Sequence, residues 1–341
     1  MRILITLFLF LFLTNLSAAK NPYDNNNVED FITLMKNKHN YDENKLRKLF
    51  NEIVPEKRLL KFFIKAPERT LTWNGCSRKD INCLNYKNLF VNDSLSNGGI
   101  VYWNENQKYL RKASLRFGVP PEIIVAIIGI ESKFGLKTGS FKTFDTLASL
   151  SLGPNKGRRA KFYKTELINF LLMCSENNFD PSHIKGSYAG ALGKPQFISS
   201  SYRHYAIDFN DDKITNLWDS NADVIGSVAN YLYKNGWLQN EVILTDTVFP
   251  ESAKSIVFNQ SKKTYKPITP YHVFKDKDIK STSHLSDNEL VSIIRFKENQ
   301  SEVFKFGHKN FYVITRYNRS RLYALAVYFL AEKIKREKTR Q

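Results

Sequence analysis

The sequence predicts an α+β fold that is mostly helical and carries a small β-rich module near its C-terminus. Three observations lead to this fold class. Up to Trp237 the apolar residues recur mainly at the spacing of amphipathic helices. After Trp237, short segments rich in β-branched and aromatic residues alternate with polar stretches, as they do in small sheets. The 341 residues, of which 42% are hydrophobic, suffice for two or three packed units.

The N-terminus has the features of a secretory signal peptide that covers residues 1–19. A short positive start precedes the almost wholly apolar residues 3–13, and Ala18-Ala19 form a small-residue cleavage site before Lys20. A membrane anchor is the alternative, but an apolar run of this length is too short to span a bilayer comfortably. We therefore expect an exported, periplasmic protein without a stable membrane anchor.

Helical spacing predicts most elements before Trp237. The clearest helix begins at Pro121, because proline suits a first helical turn, and Gly135 is its natural stop. Between them, residues 123–130 carry no polar side chain. The stretch 73–99 is loop-rich. Further helices are predicted at 28–53, 102–117, 163–174 and 222–233, and a last amphipathic helix from about Ser320.

Beyond Trp237, composition predicts strands in four short segments, at 242–244, 255–258, 291–296 and 311–314. The domain organisation that follows has four parts after the signal peptide. These are a helical N-terminal domain at 20–112, a helical core at 113–241, the β-rich module at 242–312, and a C-terminal strand and helix at 313–341 that pack back on the core.

The formal net charge of +18 at pH 7 indicates an anionic partner. Nucleic acid, a membrane surface and an acidic polymer are all compatible with it, because the basic residues are scattered along the chain rather than clustered. A nucleic-acid partner rests on charge alone, and the export signal argues against it. Nothing in the sequence identifies a protein partner.

Cysteine usage allows one small disulfide loop. Cys76 and Cys83 lie close together in a polar stretch and could pair in an oxidising compartment. Two cysteines with no histidine nearby make a poor zinc site. Cys174 lies in an apolar helical context, which predicts a buried thiol.

Glu131 ends the apolar run of the helix that begins at Pro121. Its helical neighbours three, four and seven residues earlier are Ile128, Ile127 and Ile124. Burial beside these side chains and the negative end of the helix dipole both favour the neutral carboxyl group. A carboxylic acid that stays protonated is what protonation of a glycosidic oxygen requires. The alternative is a glutamate at a helix end that faces solvent.

The segment 186–197 is rich in glycine and alanine, and it carries polar side chains at Ser187 and Gln196. Small residues allow another group to approach the backbone closely, as a sugar must. The polar side chains could then bond hydroxyl and acetamido groups. A flexible connector or a tight helix–helix contact would explain the same composition.

Together these segments resemble the lytic transglycosylases. Glu-Ser-Lys-Phe-Gly at 131–135 is similar to their E-[ST]-x-[FW]-G signature, and 186–202 resembles the glycine-rich motif of the membrane-bound B type. The segments 117–135, 216–232 and 315–332 resemble the same family, in family order, and the similarity covers roughly residues 65–335. The sequence is thus identified as a soluble, exported variant of that B type.

This resemblance implies a lysozyme-like catalytic core that cleaves the MurNAc–GlcNAc β-1,4 bond of peptidoglycan glycan strands and leaves 1,6-anhydro-MurNAc ends. It implies that Glu131 is the single general acid and base and that no cofactor is required. Ser187 and Gln196 match saccharide-contacting positions, and Lys194-Pro195 and Ser199 depart from residues common in relatives. The other implied substrate-binding residues are Arg158, Arg159, Tyr231, Tyr317, Asn318 and Tyr323.

Two other functions remain open at this point. A muramidase would use water as the acceptor, and the sequence separates it from a transglycosylase only through family likeness. A non-catalytic peptidoglycan-binding scaffold is the other alternative. The apolar setting of Glu131 argues against a scaffold, because a binding protein would gain nothing from burying an acid.

Some relatives carry a calcium loop like that of an EF-hand where this chain has residues 208–219. Oxygen donors occupy loop positions 1, 3, 5 and 12 as Asp208, Asn210, Asp212 and Asp219. Position 6 holds Lys213, although the sharp turn there prefers glycine. A structural Ca²⁺ and a solvated acidic turn are the two interpretations.

Overall fold

The computed structural model describes residue 23 and residues 25–54, 71–74, 85–153, 158–298 and 301–340. The predicted signal peptide at 1–19 and the predicted pair Cys76 and Cys83 lie outside these residues. Cys174 is a buried free thiol, as predicted from its apolar context, and burial raises the pKa of this thiol.

Helices dominate the chain up to Trp237. The first five are α1 (Asn26–His39), α2 (Glu43–Asn51), α3 (Tyr86–Phe90), α4 (Asp93–Glu105) and α5 (Gln107–Phe117). The next five are α6 (Pro121–Ser132), α7 (Thr143–Ser151), α8 (Ala160–Glu176), α9 (Ser199–Tyr205) and α10 (Asn221–Lys234). A short antiparallel pair joins β1 (Phe141–Lys142) to β2 (Lys185–Gly186).

Two of the predicted helical segments are divided by their own capping residues. The segment 28–53 breaks at Asn40, which is left-handed with φ 49°, and restarts after the N-cap Asp42. The segment 102–117 breaks at Asn106, whose side chain donates to the carbonyl of Tyr102. The predicted loop at 73–99 was wrong in its second half, because Asn92 caps α4.

Helix α6 lies at the centre of the core, against α4, α5, α10 and α14 (Arg321–Thr339). All residues from Glu122 to Gly129 are buried. A helix covered on every side needs apolar residues all round, which explains the run without polar side chains.

Among the described residues, no single helix has the length and apolarity to cross a membrane. The bent pair α5 and α6, at 115°, meets those criteria jointly.

The β-rich module is one antiparallel sheet with strand order β4-β6-β7-β3-β5. Its core includes Val257, Phe274, Ile293 and Phe306. The predicted strand at 291–296 is confirmed within β6. The strands are β3 (Leu244–Val248), β4 (Thr269–Pro270), β5 (Lys280–Ser281), β6 (Leu290–Glu298) and β7 (Ser301–Gly307).

Two predicted strands were wrong. Residues 255–258 form part of α11 (Lys254–Lys263), and 311–314 form part of α13 (Lys309–Tyr317), so the C-terminal strand predicted within 313–341 is helical. Short apolar runs do not distinguish a strand from a buried helix. Helix α13 is fixed by the buried Asn310, which exchanges hydrogen bonds with the backbone of Leu238. A short helix α12 (His272–Lys275) completes the module, and the predicted domain limits stay predictions.

Candidate active site

Glu131 lies in the last turn of α6, and an unusual turn follows it. The helix ends at Ser132, before the expected stop at Gly135. Lys133, Phe134 and Gly135 all have positive φ, of 50°, 59° and 99°. Two consecutive non-glycine residues in this region are costly and persist only where the surrounding structure holds them.

Phe134 is the residue that holds this turn. Its ring lies in a notch where a methyl group on Gly98 or Gly129 would come within 2.8 or 2.7 Å of it. The ring also stacks on Tyr102, with centroids 5.5 Å apart. The aromatic position of the E-[ST]-x-[FW]-G signature is thereby explained, because this ring locks the backbone next to Glu131.

Gly129→Ala tests this notch. Alanine ordinarily stabilises a helix interior relative to glycine by about 0.5–1 kcal/mol. Here the new methyl group would overlap the Phe134 ring, so we expect a destabilisation of about 1–3 kcal/mol in urea unfolding. Adding Phe134→Leu to Gly129→Ala should restore part of that loss. A Gly129→Ala protein more stable than the wild type would contradict the role of the notch.

The carboxylate of Glu131 accepts a hydrogen bond from the hydroxyl of Tyr323, with the oxygens 2.7 Å apart. Tyr323 is 2% exposed and projects from the first turn of α14, while Glu131 is half-buried. This bond fixes the orientation of the carboxyl group. The sequence predicted isoleucines beside Glu131, but Ile124, Ile127 and Ile128 are buried in the core, and the polar contact comes from a distant helix.

Tyr231, Tyr317 and Tyr323 form a tyrosine cluster beside Glu131. The ring centroids of Tyr317 lie 4.8 Å from Tyr231 and 6.3 Å from Tyr323, the latter pair stacked. Burial, and after it the charge of Glu131, raises the pKa of Tyr317 and Tyr323 well above the usual tyrosine range. These phenols therefore stay protonated near neutral pH and remain hydrogen-bond donors.

Backbone carbonyl groups hold the other two members of the tyrosine cluster. The hydroxyl of Tyr317 donates to Pro195 at 2.7 Å, and that of Tyr231 donates to Arg316 at 2.6 Å. Pro195 belongs to the glycine-rich loop at 186–197. The three elements that the sequence could only relate by motif order, α6, the glycine-rich loop and the α13–α14 segment, thus meet here.

Gly186 of the loop and Gly139, which lies against the loop, allow close packing between chain segments. A Cβ on Gly139 would lie 2.1 Å from the carbonyl oxygen of Gly186, and one on Gly186 would lie 2.3 Å from that of Ala191. The hydroxyl of Ser187 accepts from the backbone of Ala189 and Ala191. The tight-contact interpretation therefore accounts for these glycines, although the helix–helix form of it does not apply.

Gln196 also supports the loop. Its φ is 52°, and its side-chain amide nitrogen donates to the carbonyl groups of Thr138 and Gly193 at 3.0 and 2.8 Å. The side-chain oxygen has no partner among the described residues and can accept from a ligand. The substrate-binding roles of Ser187 and Gln196 stay predictions.

Lys194 is one of the departures from the family pattern, and it ties three segments together. Its aliphatic stem covers Gly135, where a Cβ would meet the Lys194 side chain at 2.8 Å. Its ammonium donates to the side chain of Asn221 at 2.6 Å. Lys194 thus links the turn after Glu131 to the glycine-rich loop and the start of α10.

Arg158 and Arg159 are exposed on the turn before α8. Arg159 lies over the ring of Phe162 at 4.3 Å and near that of Tyr163 at 5.5 Å. Burial raises the pKa of Tyr163, the charge of Arg159 opposes this rise, and Tyr188 of the glycine-rich loop adds to it. Arg159 therefore lies on the side of the site that is formed by the glycine-rich loop.

Asn318 directly follows Tyr317 at the end of α13.

Sequence reasoning missed two aromatic residues that support the tyrosine cluster. Tyr205 packs edge-on against Tyr231 with centroids 4.5 Å apart. Phe197 lies 5.6 Å from Tyr231 and 5.8 Å from Tyr317. Phe197 lies in the glycine-rich segment 186–202, but only the fold shows that its ring faces the tyrosines. Nothing near Tyr205 in the sequence indicates its role.

In the acidic loop at 208–219, the aspartate carboxylates accept hydrogen bonds from groups of the loop itself. Asp208 accepts from the amides of Asp211, Asp212 and Lys213, and Asp212 accepts from that of Ile214. Asp219 accepts from the side chain of Asn216. Across the described part of the chain, no three acidic, histidine or cysteine side chains are grouped so as to hold a metal ion. The donors therefore do not fit a calcium cage as they stand, and the Ca²⁺ site stays a prediction.

Calcium binding can be measured by differential scanning calorimetry in 1 mM CaCl₂ and in excess chelator. Because Lys213 adds a positive charge at the position where the sharp turn prefers glycine, we expect the two melting temperatures to agree within about 1 °C. A rise well beyond that in calcium, abolished by Asp212→Asn, would establish the site.

A helical core that buries an apolar helix, and sets the glutamate at its end against tyrosines and a small-residue loop, defines a lysozyme-like enzyme of glycan cleavage. The chain matches the family model described as the transglycosylase SLT domain over residues 24–332. It is 35% identical over 322 residues to membrane-bound lytic murein transglycosylase B of Escherichia coli K12, which covers 93% of this chain and 83% of that protein.

Solved structures are similar over nearly the whole chain. Soluble lytic transglycosylase SltB1 from Pseudomonas aeruginosa is 34% identical with a TM-score of 0.82, covering 91% of this chain and 98% of that one. The Escherichia coli lytic transglycosylase Slt35 in complex with calcium is 32% identical with a TM-score of 0.78, covering 93% and 95%. The chain belongs to the transglycosylase SLT family and is a lytic murein transglycosylase of the B type. The predicted family, lysozyme-like fold class and enzyme class are confirmed.

Proposed function

We propose that this enzyme cleaves the MurNAc–GlcNAc β-1,4 bond of peptidoglycan without water, leaving 1,6-anhydro-MurNAc ends, and that Glu131 is its single acid and base. The observation that carries this proposal is the contact between Glu131 and Tyr323. A half-buried carboxyl group, oriented by a buried phenol and bordered by further aromatic rings, suits proton transfer to a sugar ring.

The proposed reaction has two proton transfers through one carboxyl group. Protonated Glu131 gives its proton to the glycosidic oxygen, and the C1–O bond breaks with its electron pair on the leaving sugar. The 6-hydroxyl of the same MurNAc attacks C1, and its proton passes to the Glu131 carboxylate. The carboxyl group is thereby restored to its starting form.

An internal nucleophile explains why one carboxylate suffices. Ordinary glycosidases use a second carboxylate to position water or to form a covalent intermediate. The 6-hydroxyl is already held next to C1 by the sugar itself, and such groups have a high effective molarity. The MurNAc acetamido group can stabilise the cation that develops at C1.

The tyrosine cluster has a role in this scheme. The hydrogen bond from Tyr323 orients the carboxyl group of Glu131, and it stabilises the carboxylate that forms after the first proton transfer. Tyr317 is half-buried and presents ring surface that suits stacking against a saccharide, and the buried Tyr231 packs against it and supports it. Ser187, Gln196, Asn318, Arg158 and Arg159 complete the proposed contacts with the glycan strand.

Mass spectrometry of muropeptides released from purified sacculi tests the chemistry. Products lighter by one water than hydrolysis would give support the transglycosylase reaction. Products with reducing ends would make the chain a muramidase. Binding to sacculi with no release of products would favour a scaffold and would contradict the role of Glu131.

Tyr323→Phe isolates the contribution of the hydrogen bond to Glu131. The ring stays and only the hydroxyl is lost, so we expect kcat to fall about 10- to 100-fold with little change in KM. Tyr205→Phe is the matched control. The ring of Tyr205 packs on Tyr231, and no hydrogen bond among the described residues joins its hydroxyl to Glu131 or Tyr323. Equal kcat values for Tyr323→Phe and wild type would exclude a role for this bond.

We also propose a periplasmic location after removal of residues 1–19, in keeping with a substrate that lies outside the cytoplasmic membrane. Edman sequencing of the secreted protein should begin at Lys20. A mature protein that retains residues 1–19 would argue for an anchor.

A further inference from the structure

A basic cavity of about 500 Å³ lies between the β-rich module and the last helix, apart from Glu131 and the tyrosine cluster. The end of α11 provides Lys262 and Lys263, and Tyr265 follows that helix. Strand β6 provides Arg295, and α14 provides Arg321. A cavity of this size takes a small organic ligand or several residues of a peptide. The residues lining it determine which charge that ligand carries.

Arg321 is the central feature of this cavity. Its Nε atom is buried without a hydrogen-bond partner, and its guanidinium forms no ion pair within the described residues. Burial, and after it repulsion from Arg295, lowers the pKa of Arg321. Arg321 is half-buried, and the carboxylate of Glu302 attracts it without a hydrogen bond or ion pair between the two. A cation that is partly removed from water and lacks a direct partner is unfavourable for the folded protein by itself. A bound anion would satisfy it.

The other charges leave this cavity positive. Arg295 is neutralised by a bidentate pair with Glu302, at 2.6 and 2.9 Å. Lys262 lies over the ring of Phe258 at 4.1 Å, and Lys263 is exposed. Neither lysine forms an ion pair among the residues that the structure describes. Glu302 is shared between Arg295 and Arg321, so two arginines and two lysines face one carboxylate in and beside this cavity. The remaining positive charge favours a ligand with more than one carboxylate.

A chain of contacts joins this cavity to the catalytic site. The ring of Tyr265, in the cavity wall, lies with its centroid 6.5 Å from that of Tyr312 in α13. The guanidinium carbon of Arg316 lies 4.2 Å from the centroid of the same Tyr312 ring. The carbonyl of Arg316 accepts from Tyr231 of the tyrosine cluster. Arg321 is two residues before Tyr323 in α14. The cavity thus borders the same helices that hold the proposed glycan site.

We propose that this cavity binds the acidic stem peptide attached to the MurNAc residue, through its free carboxylates. This inference rests on the proposed function, because a glycan held at Glu131 would bring its peptide to the neighbouring helices. The peptide would contribute binding while the sugar is cleaved. Cleavage of peptide-bearing strands would then be favoured over cleavage of bare glycan.

Direct binding tests the cavity independently of catalysis. Isothermal titration calorimetry would use the full mature chain carrying Glu131→Gln, titrated with a free stem pentapeptide and with its methyl-esterified form. We expect the free acid to bind and the ester to bind about tenfold more weakly. Inorganic phosphate is a third titrant. Binding of phosphate without any binding of the peptide would overturn the proposal.

Variants distinguish peptide binding in the cavity from general attraction by the positive charge on the rest of the surface. In the Glu131→Gln background, Lys263→Gln and Arg321→Met should weaken peptide binding about tenfold, whereas Lys277→Gln should not change it. Lys277 is exposed on the same module and is absent from the cavity wall. Arg321→Met should also raise the melting temperature by about 2–4 °C, because it removes a half-buried cation that has no direct ion-pair partner. Equal losses in all three variants would mean non-specific attraction and would overturn the proposal.

Kinetics with the active enzyme complete the test. On strands with intact peptides, Lys263→Gln should raise KM about five- to tenfold and leave kcat unchanged. On strands whose peptides have been removed by an amidase, the variant and wild type should have equal KM. If no strand is cleaved at all, the proposed function fails, while the peptide titration still decides the cavity.

Discussion

Glu131→Gln is expected to reduce the release of anhydro-muropeptides about 1,000-fold, corresponding to about 4 kcal/mol of transition-state stabilisation. The amide keeps the shape of the side chain and can still pair with Tyr323, but it can neither donate the first proton nor take up the second. The rate is measured by chromatography of soluble products from labelled sacculi. The fold should remain intact, as shown by an unchanged circular dichroism spectrum and cooperative unfolding.

Glu122→Gln is the matched control for this variant. Glu122 lies in the first turn of the same helix, and its carboxylate pairs with Lys335 at 3.0 Å. The substitution is chemically identical and lies at the opposite end of α6, so activity should stay within about twofold of wild type. If Glu131→Gln retained substantial activity, another group would have to supply the proton, and the single-carboxylate mechanism would be wrong.

Asp223→Ala should cause the largest loss of stability among these variants, about 3–4 kcal/mol of unfolding free energy. Asp223 is fully buried in the first turn of α10. Its two carboxylate oxygens accept from the amides of Phe209 and Asn216, at 2.8 and 2.9 Å. Alanine would leave both amides unpaired and open a cavity beneath the 208–219 loop.

Urea unfolding of Asp223→Ala and of Asp211→Asn measures this difference. Asparagine is used at position 211 because the backbone there has φ 66°, which asparagine adopts more readily than alanine. Asp211 belongs to the same loop, but it is exposed and pairs with Lys112 at 3.3 Å, so its loss should change stability by less than about 0.5 kcal/mol. A similar change in the two variants would show that the loop is held by something other than Asp223. The comparison also measures how much of the stability of the 208–219 loop comes from Asp223.

The sequence alone predicted the features that depend on local pattern. Proline at position 121, an apolar run without interruption and a glutamate at its end identified the central helix and its candidate acid. The motif at 131–135 and the glycine-rich segment identified the family and, with it, the fold class and the enzyme class. These predictions succeed because helix periodicity, capping and turn preferences are encoded within a few neighbouring residues.

Errors of secondary structure arose where tertiary contacts override composition. Residues 255–258 and 311–314 are apolar and β-branched or aromatic, yet both are helical. Val257 is buried in the core of the β-rich module, and Asn310 anchors α13 to the backbone near Leu238. The burial of Val257 and the bond between Asn310 and Leu238 both depend on other segments of the chain. Local propensity could therefore not predict these two helices.

The environment of Glu131 was decided only by the tertiary structure. Its hydrogen-bond donor is Tyr323, 192 residues away along the chain, and the sequence pattern around Glu131 had predicted isoleucines instead. The tyrosine cluster, the Phe134 notch and the unpaired Arg321 likewise depend on which helices meet. The sequence by itself determined the acid, its helix and the family. The structure decided what surrounds the acid, because burial and hydrogen bonding between distant segments exist only after the chain has folded.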